Sequence, residues 1–123
     1  MEIYDFKEYV KLKNPKPGTR FSQNILTDKK GGKKLGGIMV VLPPGEEVVY
    51  HYHKERESLL IGISGEATEI IEGKEIPFQA NEVLFIPALE KHGMVNRSGK
   101  EFRYLEFFTT PPDGQPDRID VPR

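Results

Sequence analysis

Three histidines, His51, His53 and His92, are the only imidazoles in this 123-residue chain. Two of them are separated by one residue, inside a stretch with Val48, Val49, Tyr50 and Tyr52, which favour strands. Side chains at i and i+2 of a strand share a face. His51 and His53 therefore stand side by side, and Tyr50 and Tyr52 turn the other way. Glu57 follows four residues after His53, where a turn feeds the next strand, so its carboxylate can fold back toward the same space. The run 58–63 beyond it is apolar, and a carboxylate heading a buried strand needs a compensating partner. A lone histidine is more often a surface or hydrogen-bonded residue, and Glu55 and Glu57 beside Lys54 and Arg56 also read as solvated charges. Imidazole with carboxylate is a donor set for Mn, Fe, Co, Ni, Cu or Zn, whereas Mg and Ca prefer all-oxygen shells.

The elements that must position these groups are short strands. Residues 38–42 form a continuous apolar run broken by Pro43-Pro44-Gly45. Strands are also predicted over 47–53, 58–63, 66–71, 74–78, 83–86, 93–96 and 102–109. Glu72-Gly73 supplies a hairpin turn between two of them. Turn signals recur roughly every 8 to 12 residues, which predicts an all-β sandwich or barrel. Ile3, Phe6 and Val10 have the spacing of a short amphipathic helix, and an added edge strand fits residues 1–12 nearly as well. The expected organisation is one barrel over 20–110, an N-terminal arm over 1–19 and a proline-rich C-terminal tail over 111–123. That tail is expected to be extended or disordered unless a neighbouring subunit pins it down.

The segment from Gly45 through His51, His53 and Glu57, with Gly65 beyond, resembles the first cupin motif: a glycine, five residues, His-x-His, three or four residues, then Glu, and a later glycine. The stretch Asn81, Pro87, His92, Asn96 resembles the second: a glycine, five residues, Pro-x-Gly, two residues, His, three residues, Asn. Every histidine falls on a motif position, and the resemblance covers roughly 38–108. There are three departures. Gly65 comes one residue late, consistent with a bulge near Gly62. Asn81 stands for the first glycine of the second motif, and Asn tolerates left-handed backbone. Leu89 stands for the glycine after Pro87, which bears on the path of the 87–90 loop and the pocket mouth.

The resemblance implies a double-stranded β-helix, the jelly-roll barrel of cupins, with one divalent transition metal on His51, His53, Glu57 and His92. Six-coordination leaves two positions for water or a bidentate substrate, where the metal acts as a Lewis acid or activates water. Tetrahedral zinc with four protein ligands is closed and structural. Strand parity adds Val49 beside His51, Leu59 and Ile61 beside Glu57, and Met94 and Asn96 beside His92 as pocket residues. Asn96 reads first as a loop tie through hydrogen bonds and only second as a substrate contact. On 102–109 either Arg103, Leu105 and Phe107 or Tyr104, Glu106 and Phe108 face inward. An inward Arg103 suggests an anionic substrate, and an inward Glu106 a general base. No residue marks a particular reaction. Cupins with this ligand set include dioxygenases, isomerases, decarboxylases and lyases, and the alternative is a non-catalytic binding or sensing module.

Bulk properties exclude other classes. The net charge is -1, and the basic run Lys29, Lys30, Lys33, Lys34 is split by two glycines and reads as a solvated loop. Neither nucleic acid nor an anionic membrane is an expected partner. Cysteine is absent, so disulfides and thiolate ligands are impossible. The first residues carry early charges and no apolar run, which leads to the expectation of a cytoplasmic protein without a secretory signal. Edge strands and arms suggest a homodimer that binds a small molecule.

Overall fold

A computed structural model describes residues 1–27, 34–110 and 117–123. A short helix α1 spans Phe6–Lys11. Among the described residues ten strands follow: β1 Phe21–Leu26, β2 Leu35–Leu42, β3 Glu47–His53, β4 Ser58–Ser64, β5 Glu66–Ile71, β6 Lys74–Gln79, β7 Val83–Ile86, β8 His92–Val95, β9 Phe102–Thr109 and β10 Arg118–Asp120. They form two antiparallel five-stranded sheets, ordered β1-β2-β9-β4-β7 and β10-β3-β8-β5-β6. The sheets enclose an apolar interior of Val40, Leu42, Leu60, Ala67, Phe78, Ile86, Met94, Phe102 and Tyr104. This is the expected double-stranded β-helix. No helix among the described residues is long and apolar enough to cross a membrane.

Strand β2 explains its own unbroken apolar run. Val40 and Leu42 face the barrel interior, and Met39 and Val41 face a second cluster with Tyr9, Ile25, Ile63 and Leu105. A strand covered on both faces has no reason to alternate. Complete burial of each of these side chains contributes about 1.5–3 kcal/mol. The second cover is α1, capped by Asp5, whose side chain accepts from the amide of Lys7. The helix is real, but its apolar spacing misleads. Ile3, Phe6 and Val10 are exposed, and Tyr9 is the buried anchor, with Tyr4 and Leu12 packed beside it. Arg103 Nη1 donates to the carbonyls of Tyr9 and Val10, each at 3.2 Å, fastening the helix to the outer face of β9.

Two irregularities set which side chains point inward. In β3, Val48 pairs with Met94 and His51 with His92, so β3 spends one residue more than β8 between the two pairs. This bulge brings Val48 and His51 to one face and turns Val49 outward. Gly93 lies across from it, where an added Cβ would stand 3.0 Å from the Val48 carbonyl oxygen. In β4 the register shifts between Gly62 and Ser64, where the sequence places a bulge.

Asn81 and Leu89 both hold left-handed backbone, at φ 70° and 72°. The loop thus keeps a glycine-like path through Leu89, whose amide donates to the His53 carbonyl at 2.8 Å. At the C-terminus, β10 pairs with β3, so this part of the tail is pinned by the chain itself. The lysines 29, 30 and 33 and the tail residues 111–116 lie outside the described residues.

Candidate metal centre and cavity

His51 and His53 leave the inner face of β3, and His92 heads β8 directly across from His51. All three are buried, and their ligand atoms lie within 4.8 Å of one another. The ring centroids of His51 and His92 are 4.2 Å apart. Each Nδ1 already has a partner. His51 Nδ1–H donates to the Val49 carbonyl at 2.6 Å, and His92 Nδ1–H to the Glu90 carbonyl at 3.0 Å. His53 Nδ1 lies 3.0 Å from Asp117 Oδ1. An imidazole whose Nδ1 donates presents a lone pair on Nε2, the arrangement in which histidine binds a metal.

Electrostatics keeps these rings neutral. Burial, reinforced by neighbouring His92, lowers the pKa of His51 to about 3. Burial also lowers His53, against the opposing bond to Asp117, and lowers His92, against its bond to Glu90. Burial tends to raise the pKa of Asp117, but the bonds from the Glu55 amide, His53 and the Arg56 amide outweigh it, and the carboxyl lies below its ordinary range. Both amides donate to its Oδ2 at 2.9 Å.

Glu57 does not join the histidines. Its side chain is exposed, and it does not line the cavity. Pairing of Ser58 with Ile86 and Phe108 fixes the parity of β4 so that Ser58 and Leu60 point inward. In the first cupin motif the carboxylate follows His-x-His by three or four residues. At the longer spacing this chain carries Ser58, which accepts from Arg56 Nε at 3.0 Å. The same parity turns Leu59 outward to 38% exposure and packs Ile61 against the outer cluster. Among the described residues the group of ligand atoms within 4.8 Å of one another thus holds the three imidazoles without Glu57.

The histidines open into a cavity of about 340 Å³, lined also by Val48, Met94, Glu69, Glu106 and Arg56. Met94 is where parity places it. Val49 is outside because of the bulge. Asn96 is fully buried and ties the loop, donating to the carbonyls of Leu42 and Lys100 at 2.8 and 2.7 Å. Arg103 is outside on α1, so the inward set of β9 is Tyr104, Glu106 and Phe108. The carboxylate of Glu106 pairs with Arg56, whose guanidinium lies 3.7 Å over the Phe108 ring.

Three residues escaped the sequence reading. Asp117 falls in a segment without periodicity, and Arg56 lies among charges that look solvated. Glu69 carried a usable signal, because alternation places it between Ala67 and Ile71 on the inner side of β5.

The Cupin domain family matches residues 38–108, more than half of the chain. The chain belongs to the cupin family. The cupin is 30% identical over 82 residues to the tetracenomycin polyketide synthase protein TcmJ of Streptomyces glaucescens, across 66% of this chain and 55% of that protein. A second relative, the polyketide synthase CurC of Streptomyces cyaneus, is 27% identical over 68% of the chain and 54% of its own length. The chain therefore spans about half the length of these curated relatives. Its fold matches a conserved double-stranded β-helix protein from Klebsiella pneumoniae with a TM-score of 0.77 at 19% identity, covering 100% of this chain and 99% of the other. A cupin sugar phosphate isomerase from Silicibacter pomeroyi gives a TM-score of 0.68 at 27% identity, over 76% of this chain and 60% of that one.

Proposed function

We propose that this cupin is a metal-dependent enzyme acting on a small polar molecule. The observation that carries the reading is the convergence of three buried, neutral imidazoles on one cavity, each with Nδ1 occupied. The donor set suits one divalent transition metal among Mn, Fe, Ni, Co, Cu and Zn. His51, His53 and His92 would hold it, and a metal there supplies Lewis acidity and a lowered pKa for bound water. With three protein donors, a position stays open to water or substrate in tetrahedral and octahedral geometry alike.

The remaining cavity groups favour proton transfer. Glu106 Oε2 is tied to Arg56, which holds the carboxylate in place and leaves Oε1 to accept a proton. Arg56 is itself fixed by Ser58 Oγ and by the Phe108 face. Such a base suits an isomerase or lyase better than a dioxygenase or decarboxylase, and likeness to a sugar phosphate isomerase points the same way. The test is metal analysis of protein purified without a metal-affinity tag, followed by turnover of candidate substrates. About one equivalent per chain is expected, with Glu106→Gln keeping the metal and losing about 10²- to 10⁴-fold in rate. Protein without metal contradicts the reading. Full turnover in Glu106→Gln removes the base assignment.

A homodimer is part of the same proposal. Phe85 and Val83 on edge strand β7 are 54% and 62% exposed, and Leu59 lies opposite Phe85. This apolar row gives a second copy a surface to cover. A monomeric mass by light scattering at micromolar concentration contradicts it.

A further inference from the structure

Glu69 is a buried acid with no evident structural duty. It pairs in register with Met94 and Ile76, lines the cavity of the three histidines and is 1% exposed. No described group hydrogen-bonds its Oε2. Nor, among the described residues, does a side-chain cation pair with it. Arg56 is committed to Glu106, Arg118 is committed to Asp120, and Arg20 is exposed. The charged groups acting on it most strongly after burial are Glu106 and Glu90, both of its own sign. A bare carboxylate in such a place is far costlier than a neutral carboxyl. The neutral carboxyl, unlike the ion, owns an O–H and can donate a hydrogen bond. An apolar side chain would fill the same wall without the cost of an unmatched polar atom, so the acid calls for a partner from outside the chain.

We propose that Glu69 is a specificity-determining residue, a neutral carboxylic acid that donates a hydrogen bond to an oxygen of a small ligand bound against His51, His53 and His92. The location of the ligand rests on the metal-dependent reading above. The cavity lies near the small end of ligand sites, and its walls join an O–H donor to an oxygen-accepting centre. Both features select a compact molecule with two neighbouring oxygen functions, such as an α-hydroxy or α-keto acid. One end faces the imidazoles, and the other accepts from Glu69.

Two measurements test this. Infrared difference spectroscopy of metal-free wild type against Glu69→Gln at neutral pH should show a protonated-carboxyl carbonyl band that the variant lacks. Absence of that band overturns the proposal whether or not the protein binds metal. The second is calorimetry of oxalate with cobalt-loaded wild type, Glu69→Gln and Glu69→Leu. Affinity should fall about tenfold in Glu69→Leu and stay within about threefold in Glu69→Gln, whose amide still donates. Oxalate that binds all three alike, or fails to bind wild type, overturns it. Failure of cobalt to bind counts against the metal reading instead, and the oxalate series on metal-free protein then decides on Glu69.

Discussion

Asp117 Oδ1 lies 3.0 Å from His53 Nδ1, while the Oδ2 of the same carboxylate takes the amides of Glu55 and Arg56 at 2.9 Å. One side chain next to β10 thus fixes both the tautomer of an imidazole and the turn that follows it. Carboxylate partners of metal-binding histidines typically contribute 10- to 100-fold in metal affinity. Asp117→Ala should lose about that much, read by competition with a chelator. Asp117→Asn should fall between, because its amide oxygen still accepts from His53 while the two backbone amides lose their charged acceptor. Unchanged cobalt affinity in both variants would show that His53 does not need this partner.

Glu57 and Ser58 offer a contrast between neighbours. Glu57 is exposed and its amide donates to Thr109 Oγ1, a bond that survives truncation of its side chain. Glu57→Ala should leave metal affinity and stability nearly unchanged, within about 0.5 kcal/mol, as for ordinary surface changes. A loss of metal as deep as in His51→Ala would restore Glu57 to the ligand set.

Much of the barrel could be read from the chain because period-2 alternation, turn residues and the two motifs agree with one another. The strand holding His51 and His53 follows from that agreement, and the motif resemblance brings His92 to the same site. What could not be read is parity across irregularities. One extra residue in β3 is enough to turn Val49 out and bring Val48 in. One residue of slip at the head of β4 exchanges Glu57, Leu59 and Ile61 for Ser58 and Leu60. A period-2 rule inverts every side chain after such a step. Arg103 and Glu106 were open alternatives until α1 covered one face of β9. Asp117 was invisible because its role depends on a strand pairing between distant segments.

Acid should destabilise the metal-free protein. Above pH 6.5 the histidines are neutral in both folded and unfolded chains. Below it the unfolded chain takes up protons, while folded His51, with its pKa near 3, does not. Stability is therefore lost as pH falls from about 6.5 toward 3, at up to about 1.4 kcal/mol per pH unit for each such histidine. His53 and His92 act in the same direction. Glu69 opposes them, because its raised pKa costs stability above pH 4.5 and returns it as pH falls. Urea midpoints of His51→Gln and wild type between pH 7 and 5 check the sign. The variant should lose less on acidification, and an equal loss removes His51 from the balance.

Leu89 sits at φ 72°, a conformation that costs an L-residue about 1–2 kcal/mol. It is also 63% exposed, so little packing offsets the cost. Leu89→Gly trades that strain against about 0.5–1 kcal/mol of chain entropy and should be neutral or stabilising by up to about 1 kcal/mol. Leu89→Val should destabilise, since β-branched residues resist positive φ. Thermal melts of both variants decide the matter, and a destabilised Leu89→Gly means the side chain itself supports the loop.

X-ray absorption of the resident metal, or of added cobalt, counts imidazole scatterers directly. Three per ion, with oxygen ligands completing the shell, is the expected spectrum. Fewer than three imidazoles on the ion, or a chain that retains neither metal, contradicts the assignment of His51, His53 and His92 as a metal centre.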